Sequence, residues 1–229
     1  MRVLCLHGMG TNNDVFAMQT LALRAQLGCS SVHKFEFVEG NVEYPAAPGI
    51  STLFPSTTGY WAYFDPSSAS SILQAIEDLA AYIASEGPFD GVMAFSQGAA
   101  LAAMLLARPS LAPVFTFAIF ICAGAPYCEK SLRRGVPRFL SPEKDGAVIN
   151  VPTAHIIGRK DDLLGESIKL IDLCADGMTD REGSSVRYGV LKKVFDHGRG
   201  HEVPVAPHGV TENMAQCVQD IITKASYIQ

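Results

Sequence analysis

The stretch Phe89-Asp90-Gly91-Val92-Met93-Ala94-Phe95-Ser96-Gln97-Gly98-Ala99-Ala100 sets the strongest constraint on what this chain can fold into. An apolar run stops abruptly at Ser96, and a small-residue helical pattern over 97–107 begins at once, with no room for an ordinary loop. Strand, one serine, helix is the outline of a nucleophile elbow. The turn is so tight that the serine backbone is strained, its hydroxyl stands out above a sheet and the next amide opens a helix. Such a turn brings together the residues two before and two after the serine, and Ala94 and Gly98 supply small side chains there. The usual pattern is G-x-S-x-G. The chain departs from it at Ala94 by one methyl group, for which tolerance is expected. Taken by itself, so short a pattern also describes a serine on an ordinary strand-to-helix turn.

An elbow needs a parallel sheet beneath it, and the rest of the chain spells one out. Strands buried on both faces of such a sheet read as short apolar runs. Runs at 3–6, 34–38, 114–122, 153–158 and 191–196 fit this description alongside the elbow strand. Helical spacing falls between them, over 15–27, 69–86, 164–174 and 210–225, with Gly28 placed to cap the first helix. Regular alternation implies an α/β fold, a mostly parallel, doubly wound sheet flanked by helices. Two irregular segments interrupt it. Residues 124–150 follow a strand end, on the sheet edge where ligands of open parallel sheets bind. Residues 39–66 carry Tyr44, Phe54, Tyr60, Trp61, Tyr63 and Phe64, too aromatic for a linker, and so either pack on the body or line a site.

The 229 residues suffice for one such domain, 1–229, with no internal repeat or boundary. A net charge of −5 and the lack of a dense cationic cluster argue against a nucleic-acid surface. The short basic group Lys130, Arg133, Arg134 and Arg138 reads as a solvated loop. No window reaches the apolar length of a membrane span. The six cysteines, at 5, 29, 122, 128, 174 and 217, show neither metal-ligand nor disulfide-framework spacing, and several sit in apolar runs as small hydrophobes. A cytoplasmic setting follows as the expectation.

A serine hydroxyl needs a base to take its proton and an acid to orient that base. Asp161 follows the 153–158 strand in G-x-x-D spacing on the same sheet edge as Ser96; Asp162 is the neighbouring alternative. Among six histidines, His7 ends the first strand beside Gly8, His33 and His155 lie at or inside strands and His208 lies in a proline-flanked loop. His197 and His201 share the loop after the last strand; His201, followed by Val203-Pro204, is expected as base and His197 as its structural companion. The order Ser96, Asp161, His201 is that of α/β-hydrolases. Two amides would complete an oxyanion hole: Gln97 at the helix N-terminus, and Met9, or else Gly10, in the loop after the first strand. That loop lacks the lysine or glycine spacing of a phosphate cradle.

Leu4-Cys5-Leu6-His7-Gly8, Phe95-Ser96-Gln97-Gly98-Ala99-Ala100, His155-Ile156-Ile157-Gly158 with Asp161, and His197-Gly198 through His201-Glu202-Val203-Pro204 resemble the eukaryotic family of serine hydrolases of the α/β-hydrolase fold. That family includes stand-alone thioesterases of the lovastatin and citrinin type, which release polyketides from fungal synthases. Gly59-Tyr60-Trp61 is similar to the family's aromatic loop, and Tyr60, Trp61, Tyr63 and Phe64 are expected to line an apolar acyl pocket. The resemblance implies acyl transfer by Ser96, His201 and Asp161 without metal or cofactor. Its substrate would be an acyl thioester or ester, and its partner an acyl carrier protein of a polyketide synthase. Arg199, where a glycine is commoner, could contact an anionic carrier. A carboxylesterase for small lipophilic esters would share every one of these residues, and a catalytically silent binding protein would keep only the fold.

Overall fold

In the computed structural model, which describes residues 1–28, 33–55, 59–108, 114–179, 185–186 and 191–228, the apolar runs become one parallel sheet. Its strands are β1 (Arg2–Leu6), β2 (Lys34–Val38), β3 (Gly91–Phe95), β4 (Phe117–Ile121), β5 (Thr153–Ile157) and β6 (Lys192–Asp196), in the order β6-β5-β4-β3-β1-β2. Every neighbouring pair is parallel. The chain steps outward from β1 to β2, then returns past β1 to β3 and continues to β6. Connections that leave in opposite directions part their loops above the sheet, so a crevice is expected at the C-terminal ends of β1 and β3.

Right-handed crossovers running in opposite directions put helices on opposite faces. The two-residue side-chain period of each strand then divides the core in two. Leu4, Leu6, Val92, Ala94, Ala118 and Phe120 face α3 (Ala69–Glu86), α4 (Gln97–Leu106) and α5 (Leu164–Leu173) through residues such as Ile72, Ile76, Leu101 and Leu170. Val3, Cys5, Met93, Phe95, Ile119 and Ile156 face α1 (Asn13–Gln19), α2 (Leu21–Gln26) and α6 (His208–Ile228) through Phe16, Leu23, Met214, Val218 and Ile221. A leucine or phenylalanine buried in this way contributes about 1.5–3 kcal/mol. Helix α4 is buried on all sides from Gln97 to Leu105, which suits its alanine-rich sequence and fixes the serine just before it.

The pattern over 15–27 yields two helices instead of one. Thr20 separates them; its hydroxyl donates back to the Phe16 carbonyl at 2.7 Å, a side-chain bond that competes with helix continuation. The 114–122 run contributes a strand only over Phe117–Ile121. The described residues of segment 39–66 pack on the body: Val42–Glu43 pairs antiparallel with Trp61–Ala62, and Trp61 bridges to Thr11. Cys29 and Pro109 lie outside the described residues; the five described cysteines are free thiols. Among the described residues, no helix is long and apolar enough to cross a membrane.

Candidate active site

Ser96 joins β3 to α4 with φ 52° and ψ −114°, one of two non-glycine residues of positive φ among the described residues. Such a conformation costs about 1–3 kcal/mol and persists only where neighbours enforce it. Enforcement is visible on both sides. The Ser96 amide donates to the Ile121 carbonyl at 3.0 Å, and its carbonyl accepts from Ala100 and Gly124 at 3.1 and 3.2 Å. Gly98 presses α4 onto the end of β1, where a β-carbon would sit 2.5 Å from the His7 carbonyl oxygen and 2.7 Å from that of Leu6. The backbone crowding that demands a glycine thus falls at 98. Ala94 holds its methyl group in the core between β1 and β4, which accounts for the one departure from the elbow pattern.

The turn after β5 carries Asp161, whose side chain is 1% exposed. Its Oδ1 accepts from the Leu163 amide at 2.8 Å and its Oδ2 from His201 Nδ1 at 2.9 Å. With Nδ1 donating to Asp161, His201 Nε2 is left to accept from the Ser96 hydroxyl, 2.8 Å away. The imidazole also packs against Phe95, ring centroids 5.0 Å apart. Asp162 is exposed and takes no part. The loop bearing His201 reaches this position because Gly158 has no β-carbon; one would lie 2.3 Å from the Arg199 carbonyl oxygen and 2.7 Å from the His197 ring. His197 is buried, and burial holds it below the usual histidine range, so it stays neutral and serves as a strut. Its Nδ1 accepts from the Arg199 amide at 3.3 Å and its Nε2 lies 3.5 Å from Cys122 Sγ.

Cys122 is the other non-glycine residue of positive φ, at 42°. Read from sequence as a small hydrophobe, it proves to sit behind Asp161 as well. Burial, reinforced by the Asp161 charge, pushes its thiol up and keeps it protonated. Ligand atoms of Cys122, Asp161 and His201 lie within 4.8 Å of one another. A resident metal fits poorly there. It would need a thiolate that burial opposes and would take Asp161 or His201 from the chain leading to Ser96.

The Met9 and Gln97 amides make no hydrogen bond among the described residues, as donors reserved for a ligand should. The Gly10 amide, the alternative expected as second donor, instead donates to the Trp61 carbonyl at 2.9 Å. Gly8 brings this loop onto the elbow, its missing β-carbon 3.4 Å from that of Ser96. The Gln97 side chain adds a clamp absent from the sequence reading. Its Oε1 accepts from the Tyr63 amide at 2.8 Å, while Nε2 donates to the Phe64 carbonyl at 2.9 Å and to Met9 Sδ at 3.4 Å.

A cavity of about 230 Å³ opens beside Ser96 and Gln97. Phe64, Tyr127, Phe139 and Leu163 supply its apolar walls, and Glu166 lies on its border. Of the four aromatic residues expected to line an acyl pocket, Phe64 does so. Tyr60, Trp61 and Tyr63 do not. Tyr60 donates to the Phe54 carbonyl, Tyr63 to the Val38 carbonyl, and Trp61 uses both backbone groups to hold Gly10 and Thr11. The aromatic segment therefore braces the loop after β1 more than it lines the cavity. Tyr127 and Phe139 come from segment 124–150, whose place on the sheet edge was legible although its individual residues were not. Arg199, expected to contact an anionic carrier, is paired with Glu202 at 3.0 Å; in the basic loop, Arg138 is paired with Asp145 at 2.7 Å and Arg133 with Glu129 at 2.6 Å.

Fold and geometry together describe an α/β-hydrolase. Two solved structures share the architecture: a carboxylesterase from Mesorhizobium loti, with TM-score 0.58 and 17% identity over 97% of this chain and 88% of that one, and SOBER1 of Arabidopsis thaliana, with TM-score 0.55 and 16% identity over 97% and 99%. The chain belongs to the serine hydrolase (FSH1) family, whose profile matches residues 1–212. Among curated relatives, the esterase FPY3 of Fusarium mangiferae is 50% identical over 228 residues, covering 98% of each chain.

Proposed function

We propose that this serine hydrolase cleaves esters or thioesters of apolar acyl groups through an acyl-enzyme on Ser96. The observation that carries the reading is the unbroken chain from Ser96 Oγ to His201 Nε2, 2.8 Å, and from His201 Nδ1 to Asp161 Oδ2, 2.9 Å. His201 takes the Ser96 proton as Oγ bonds to the acyl carbon, then returns it to the departing oxygen or sulfur as that bond breaks. Water, deprotonated by the same imidazole, resolves the acyl-enzyme. Asp161 holds the tautomer and balances the imidazolium. The Met9 and Gln97 amides stabilise the oxyanion; one such donor is worth about 2.7–4 kcal/mol in the barrier. The apolar walls of the cavity beside Ser96 favour an acyl group.

The leaving-group side is open, since the His201 side chain is 32% exposed. That openness suits a bulky leaving group, and the finer reading is a thioesterase that releases a polyketide or fatty acyl chain from a carrier protein. Arg199, in the loop that carries His201, is paired with Glu202 at 3.0 Å, which weakens one expected contact to an anionic carrier and makes simple oxygen esters the runner-up substrates. The test is turnover of matched butanoyl esters, butanoyl-CoA and butanoylated acyl carrier protein. Thioester preference, abolished in Ser96→Ala, supports the finer reading; turnover of oxygen esters alone leaves a carboxylesterase. No turnover of any of them would leave a binding protein on a hydrolase fold.

A further inference from the structure

The cavity beside Ser96 is apolar on most sides but has a carboxylate on its border. Glu166 occupies the first turn of α5, three residues beyond the Leu163 amide that Asp161 holds. It is half-buried. Its Oε2 accepts from the Ala125 amide at 2.9 Å, which ties α5 to the opposite wall, and Oε1 has no hydrogen-bond partner among the described residues. The carboxylate borders the same cavity as Ser96. A β-carbon on Gly124 would lie 3.5 Å from the Ser96 carbonyl oxygen and 3.6 Å from Glu166 Oε2, so a single glycine separates the two. No cation is paired with Glu166 among the described residues, unlike Glu77, Glu129 or Glu202.

An ionised carboxylate accepts hydrogen bonds and donates none. Placed at the edge of an apolar cavity with one oxygen uncommitted, it rewards a hydroxyl on the acyl chain, repels a second carboxylate, and is poorly served by a plain alkyl chain that shields it from water. We infer that Glu166 is a specificity-determining residue that selects acyl groups bearing a hydroxyl within the first few carbons of the carbonyl. This rests on Ser96 as nucleophile and adds the substrate class to that reading. Tyr127, on the same cavity, feels the same group: burial and then the Glu166 charge raise its phenol above the usual range, keeping it protonated.

The test uses three four-carbon acyl esters of equal length: ethyl butanoate, ethyl 3-hydroxybutanoate and monoethyl succinate. Their hydrolysis by the full chain is followed by pH-stat. The wild type should favour the hydroxy ester over the plain ester by about tenfold in kcat/KM, as expected for a hydrogen bond to a charged, partly exposed acceptor, and should reject the succinate ester. Glu166→Leu should abolish the hydroxyl preference. Glu166→Gln, which can still accept from the Ala125 amide and keep the cavity walls tied, should admit the succinate ester by at least tenfold more, and it decides the matter should the leucine variant fail to fold. Equal wild-type rates for the plain and hydroxy esters, or a succinate rate unchanged in Glu166→Gln, would overturn the assignment while leaving Ser96 as the nucleophile. Failure to cleave any of the three would overturn it together with the hydrolase reading on which it rests.

Discussion

The Gln97 carboxamide donates to Met9 Sδ at 3.4 Å, joining the elbow helix to the loop that follows β1. The two proposed oxyanion donors are thus held in register by a side chain of one of them, which also ties Tyr63 and Phe64. Gln97→Leu keeps both backbone amides but frees the loop. Its kcat should fall about 10- to 100-fold, short of the full loss of a donor, with KM little changed. Stability should drop by about 1–3 kcal/mol because the Tyr63 amide and Phe64 carbonyl lose their partner. Steady-state kinetics and urea denaturation read the two effects separately; an unchanged kcat would remove the clamp from the account.

Asp161 and Asp162 differ in burial and bonding, and their asparagine variants should differ as sharply. Asp161→Asn removes the acceptor that fixes the His201 tautomer and should lower kcat about 10⁴-fold. Asp162→Asn, at an exposed position, should leave kcat as it is. Comparable losses in the two would mean that the hydrogen bond at 2.9 Å is not the one that matters.

At the elbow, crowding predicts opposite tolerances at two small residues. Gly98→Ala drives a methyl group against the His7 and Leu6 carbonyls and should unseat α4, costing several kcal/mol and most activity. Ala94→Gly removes a methyl from a strand interior and should cost about 0.5–1 kcal/mol with activity retained. Ala94→Val overpacks the same core and should cost about 1–3 kcal/mol and disable the serine turn. Hydrolysis rates alongside thermal melts distinguish these cases, and an active, stable Gly98→Ala enzyme would refute the close approach.

His155 gives a pH signature of stability unconnected to catalysis. Burial, with the Lys192 charge second, lowers it from 6.5 to about 3, and its Nε2 lies 3.0 Å from Thr153 Oγ1. Between those two values the unfolded chain carries a proton that the native state refuses, so the unfolded state binds more protons and stability falls as the pH is lowered. The slope from this group approaches about 1.4 kcal/mol per pH unit. His155→Gln should therefore lose less stability than the wild type between pH 6 and 4 in urea titrations. Parallel curves would contradict a neutral buried His155.

Much of this site is written locally, which is why it could be read from sequence. Ser96 stands where an apolar strand meets a helix without a loop, and Asp161 and His201 each follow a strand end, so the parallel order of the sheet carries all three to one edge. Other parts depend on contacts that no local pattern encodes. Tyr60, Trp61 and Tyr63 look like pocket residues by composition, but backbone pairing to Thr11 and side-chain bonds to Phe54 and Val38 turn them into a brace. Tyr127 and Phe139 enter the cavity because an isolated bridge between them folds segment 124–150 over the edge, a pairing with no periodic signature. Glu166 carries a signal that was available, an acidic residue in the first turn of the helix after Asp161. Its meaning appears only once the sheet brings that helix against Ala125.

The central claim is that Ser96 is the residue acylated during turnover. Incubation with a fluorophosphonate probe, followed by intact mass and peptide mapping, should show a single adduct on the peptide containing Ser96, none in Ser96→Ala, and strongly slowed labelling in His201→Ala. Labelling that maps elsewhere, or that proceeds equally in a folded Ser96→Ala protein, would contradict it.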